Sequence, residues 1–120
     1  MSGHGPLALD GTPAGPFGRV PSEVSLQAAQ ESARLTALAV IDGPQNAIGD
    51  LDRIAGWASV SGFVNAEPGY PQTTLVLNPF SDLIVDVFGP DVGAHARTAI
   101  GVAALPLNLP VVVAAEVELL

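Results

Sequence analysis

HARTAIGVAALP, residues 95–106, sets a single arginine at the head of an otherwise almost wholly apolar strand. The run VVVAAEVEL, residues 111–119, follows it and carries no polar residue on either alternating side until Glu116. A strand that is apolar on both sides has both sides covered. Ahead of these two, a third strand shows plain alternation. Ile54, Gly56, Ala58, Val60, Gly62 and Val64 fall on one side, and Ala55, Trp57, Ser59, Ser61 and Phe63 on the other. Trp57 and Phe63 thereby share a face and read as core.

Two helices complete the pattern. Ser25 stands at the N-cap position of the first, in which Leu26, Ala29, Ala33, Ala37, Leu38 and Ile41 recur at helical spacing until Gly43-Pro44 stops them. Asn78-Pro79 offers an N-cap followed by a proline at the first helical position; Leu83, Ile84, Val87 and Phe88 then form a buried face, and Gly89-Pro90 closes the helix. Residues 66–72, with Pro68, Gly69 and Pro71, read as loop, and so does the Gly- and Pro-rich lead-in through Pro21 around the Asp10-Gly11 turn. The strands at the end run roughly over 98–105 and 111–119, joined by a turn around residues 106–110. Helix, strand, helix, strand, strand is an α+β order with both helices on one face of the sheet, in one domain over residues 1–120. Two short helices cover a single face. The other is expected to meet another subunit.

Composition excludes several functions. Twelve acidic residues against four arginines and no lysine give a formal net charge of -8, a surface that repels nucleic acid. The apolar run from Ala99 to Ala115 contains Gly101, Pro106, Asn108 and Pro110 and falls short of the roughly 20 residues of a membrane helix. The absence of cysteine removes disulfides, thiolate metal sites and thiol nucleophiles. No stretch has the basic and apolar regions of a signal peptide, so a cytoplasmic protein is expected. Two distant histidines and scattered carboxylates lack metal-ligand spacing, and neither a glycine-rich phosphate loop nor a Gly-x-Ser-x-Gly elbow is present. Asp50 and Asp52 read as a helix-to-strand turn pairing with Arg53, and Glu116 and Glu118 as solvated charges at a strand end. Arg97 is the first functional candidate, because a guanidinium beside buried strand surface offers a rigid fork of donors to a small carboxylate. Its alternative is an arginine that snorkels to water or pairs with an aspartate.

Ala96-Arg97-Thr98 running to Leu105-Pro106 resembles the reactive-intermediate deaminase family (Rid, also YjgF-like or endoribonuclease L-PSP-like). The resemblance extends in order through NPFSDLIVDVFG (78–89), IGDLDRIAGWASVSGFVNAEPGY (48–70), QAAQESARLTAL (27–38) and SGHGPL (2–7). It implies the chorismate mutase-like α+β fold, a mixed sheet with two helices on one face, assembled as a homotrimer with ligand clefts between subunits. It further implies a deaminase that uses no cofactor or metal and hydrolyses 2-imino acids, or their enamines, to 2-keto acids and ammonia. Arg97 then holds the substrate carboxylate, while Ser2, Gly3, His4, Asn78 and Ala99 line the cleft. Asn78 is explained equally well as a helix cap, His4 replaces the family's Gln and reads more simply as a solvated terminal histidine, and His95 is left outside the site. Two departures stand out. Val112 occupies the position of the family's water-handling Glu, which favours a non-catalytic binding or sensing protein as the alternative. Met1 directly precedes Ser2 where the family carries a further hairpin, so an open sheet edge is expected.

Overall fold

A computed structural model describes residues 3–48 and 53–119. Ser2, Asp50 and Asp52 lie outside the described residues. The chain forms α1 (Leu26–Ile48), β1 (Ile54–Asn65), α2 (Thr73–Val92), β2 (Ala96–Val102) and β3 (Val111–Leu119). The sheet order is β2-β1-β3, with β1 parallel to β2 and antiparallel to β3. The last two strands therefore flank β1, and α2 is the crossover of a parallel β-α-β unit. Both helices pack against each other and on one face of this mixed sheet, α2 over β1 and β2, α1 over β3.

Ser25 caps α1 as its position suggests, its Oγ accepting the Ala28 N–H at 3.1 Å. Ala29, Ala33, Ala37, Val40 and Ile41 form the buried stripe, whereas Leu38 is 43% exposed and does not belong to it. The helix also passes Gly43-Pro44 and ends at Ile48. Proline's fixed φ suits a helix, and its main cost is the lost bond to the carbonyl four residues back.

The start of α2 departs further from expectation. It begins at Thr73, so Asn78 is not its cap and Pro79 lies inside it. Pro79 has no N–H for the Leu75 carbonyl, and the Gln30 side chain of α1 donates to that oxygen at 3.0 Å instead. Val76, Leu77 and Phe80 are fully buried by the extra turns, which Thr73 Oγ1 ties to β2 through the Ala99 carbonyl at 3.0 Å. Gly89, at φ 84° and ψ 167°, breaks the helix where Gly89-Pro90 marks its close. Of the expected buried face, Ile84 is fully buried and Val87 is 48% exposed.

Irregular register between β1 and β3 at Ile54/Gly56 and Trp57/Ser59 rotates Trp57 onto the helix face. There its ring meets Phe88 at 5.3 Å between centroids. Phe63 lies in register with Ile100 and Val112 on the other face, so the two aromatics do not share a side. On the helix face a Cβ at Gly62 would come within 2.6 Å of the buried Leu77 side chain. Gly62→Ala is accordingly expected to destabilise the fold by about 1–3 kcal/mol, read as a lower urea midpoint at unchanged slope. The face away from the helices carries Ser61, Phe63, Thr98, Ile100, Val112 and Ala114, and Ile100 is 44% exposed there.

Candidate functional site

Arg97 lies opposite Val60 in the register, on the helix side of the edge strand β2 and facing α2. Its Nη2 donates to Asn78 Oδ1 at 2.9 Å and its Nη1 to Ser81 Oγ at 3.1 Å. Both acceptors are neutral. Among the described residues no carboxylate lies within 4.0 Å of this guanidinium, so the aspartate pairing expected of a structural arginine is absent. Two of its five donors are occupied, which fixes the plane of the fork and leaves the others for a ligand.

Asn78 and Ser81 stand one helical turn apart, so both face Arg97. Ser81 Oγ also lies 3.0 Å from His95 Nε2, and His95 Nδ1 lies 2.7 Å from the Gly93 carbonyl. His95 thus joins the site from which its sequence position excluded it. With β2 beginning at Ala96, the preceding residue has already turned toward α2, and its ring reaches the same serine as Arg97. Ser81 was missed for a related reason. It shows itself only when Asn78 is taken as a mid-helix residue, for then the spacing from 78 to 81 defines one polar face. Ala99 is the next residue of β2 on the Arg97 side and is half-buried.

Gly3 and His4 lie elsewhere. His4 and Val113 exchange backbone hydrogen bonds of 2.8 Å along the outer edge of β3, which this single bridge partly closes. Burial holds the His4 imidazole below the ordinary histidine value. A Cβ on Gly3 would approach Val112 Cγ1 to 3.2 Å, so this segment runs directly over Val112. The residues the family resemblance assigns to one cleft thus divide into a β2-edge group (Asn78, Arg97, Ala99) and a β3-edge group (Gly3, His4, Val112). With β1 between them, Val112 lies two strand spacings from β2, about 10 Å, and the Gly3-His4 segment, paired outside β3, lies three, about 14 Å. Glu116 and Glu118 are exposed at the end of β3.

No family model matches the chain. Protein TCP17 of Trypanosoma cruzi is 43% identical over 102 residues, covering 85% of this chain and 64% of that protein, so the chain spans less than two thirds of this relative. The solved structure of protein Atu1372 of Agrobacterium tumefaciens, a protein of unknown function, superposes with a TM-score of 0.93 at 37% identity, over 99% of this chain and 74% of that one. A candidate endoribonuclease of Shewanella oneidensis superposes at 0.90 with 27% identity, over 99% and 77%. A Rid-family protein of Yersinia pestis shares the fold at 0.63 and 16% identity, over 100% and 76%. The ordered motifs, the two helices on a mixed three-stranded sheet and these relatives converge: the chain belongs to the Rid (YjgF-like, endoribonuclease L-PSP-like) family.

Proposed function

We propose that the protein binds small 2-keto and 2-imino carboxylates at Arg97 and hydrolyses the imines to 2-keto acid and ammonia. The observation that carries this reading is the uncompensated guanidinium. A cation held in plane by Asn78 and Ser81, with no carboxylate partner among the described residues, is arranged for a ligand's carboxylate. Pinning that carboxylate fixes the neighbouring imine carbon against a water. Orientation of this kind supplies a large share of the acceleration for a bond that hydrolyses readily in any case. The endoribonuclease description of the relatives does not suit a chain of net charge -8.

The separation of the two groups of site residues supports a homotrimer. A small ligand touching both Arg97 and the Gly3-His4 segment requires the β2 edge of one copy to meet the β3 edge of the next. The open sheet face around Phe63, Ile100 and Val112 supplies the apolar contact for such a ring. Ammonia release from a 2-imino acid generated in the assay, measured beside a protein-free blank, tests the activity. Release well above the blank is expected. Binding of 2-ketobutyrate with release equal to the blank would instead favour the second reading, a non-catalytic sensor, for which the apolar Val112 beneath Gly3 speaks.

A further inference from the structure

We propose that Ser81 and His95 form a proton relay that serves as the general base at the Arg97 site, an inference that rests on reading this site as an imine hydrolase. The Gly93 carbonyl can only accept, so its 2.7 Å contact with His95 Nδ1 places the ring hydrogen on Nδ1. In the neutral ring, Nε2 then carries the lone pair. Across the 3.0 Å contact the Ser81 hydroxyl is the donor and Nε2 the acceptor. Arg97 Nη1 meanwhile donates to the same serine oxygen at 3.1 Å. The hydroxyl is flanked by a base on one side and a cation on the other, and the base is oriented by a third group. That is the arrangement by which side-chain hydroxyls are activated. Serine, histidine and arginine are all half-buried, so the cluster is partly shielded from water and still accessible to a small molecule.

The relay supplies what the sequence lacks at Val112. As water oxygen adds to the carbon of the protonated imine, the C=N electron pair moves to nitrogen and leaves a neutral amine. The water gives a proton to Ser81 Oγ, and the serine passes its own to His95 Nε2. Run in reverse, the relay returns that proton to the amine. The C–N pair then departs with ammonia, a lone pair of the hydroxyl oxygen closes the C=O bond, and the hydroxyl proton ends on ammonia as ammonium. Imine cation and water thus become keto acid and ammonium, and no bond to serine forms.

The test compares the full chain with Ser81→Ala and His95→Asn. The asparagine amide can still donate to the Gly93 carbonyl but offers nothing in place of Nε2. Both variants are expected to lose roughly 100-fold in kcat for 2-iminobutyrate, the scale of general-base help, while the Kd for 2-ketobutyrate stays within about threefold in His95→Asn, which leaves both partners of Arg97 in place. Nitrogen NMR of the imidazole should show the hydrogen on Nδ1. A rate above the blank that survives both substitutions, or a hydrogen found on Nε2 in the neutral ring, would overturn the relay alone. Equal losses in kcat and in 2-ketobutyrate affinity would also overturn it, reducing both residues to supports for Arg97. A wild-type rate equal to the blank would overturn the hydrolase reading and the relay with it.

Discussion

Arg97→Ala is expected to abolish 2-ketobutyrate binding, weakening the Kd by at least about 100-fold, and to leave a folded protein. Hydrogen bonds to charged groups contribute about 1.5–3 kcal/mol each, so a two-pronged contact to a carboxylate is worth some 3–6 kcal/mol, and each 1.4 kcal/mol is tenfold in affinity. The fold survives because the partners Arg97 leaves behind, Asn78 Oδ1 and Ser81 Oγ, are neutral and only half-buried. Breaking a buried ion pair strands a charge at several kcal/mol. Nothing is stranded here. Arg97→Lys should also bind poorly, since one ammonium cannot hold Asn78, Ser81 and a ligand in the geometry of a planar fork. Calorimetric titration with 2-ketobutyrate, paired with urea denaturation of each variant, separates the outcomes. A variant that melts with no change in affinity per folded molecule would make Arg97 a structural residue and remove the anion site.

Local chemistry was legible where its cause is local. Ser25 caps α1, Gly89 breaks α2, and the alternation from Val60 to Val64 marks β1, because each of these depends on residues a few positions apart. The errors have long-range causes. Asn78-Pro79 reads as a helix start until Gln30, 45 residues before Leu75, supplies the donor that Pro79 withholds from its carbonyl. Trp57 changes face because β3 imposes irregular register on β1, and a period-2 count cannot contain the partner's register. Of the two readings that the sequence left equal for Asn78, the cap falls away and a contact with Arg97 takes its place, and the same revision exposes Ser81. The arginine stands out in the sequence because a lone cation at the head of an apolar strand is unusual. The serine and histidine beside it are ordinary residues until α2 and β2 bring them within 3.0 Å.

Val102→Glu is expected to dissociate the proposed trimer, whereas Val113→Glu should unfold the chain. The two valines sit in the same pleated sheet with opposite surroundings. Val113 lies opposite Gly62 on the helix face and is fully buried, so a carboxylate there has neither water nor a partner. Val102 alternates with Gly101 on β2 and shares the open face with Ile100, so in a single copy its side chain can reach solvent. Interfaces between obligate partners resemble a domain core cut in half, and three symmetry-related carboxylates in such a contact repel one another as well as losing hydration. Sedimentation velocity at micromolar concentration should give a trimer for the wild type and a monomer for Val102→Glu, with Leu38→Glu on the exposed side of α1 remaining trimeric. In the proposed trimer the β2-edge group of one copy would meet the β3-edge group of the next, so the Val102→Glu monomer should lose 2-ketobutyrate binding although Arg97, Asn78 and Ser81 are untouched. A wild type that sediments as a stable, folded monomer and still binds 2-ketobutyrate would place the whole site on the β2 edge and remove Gly3 and His4 from it.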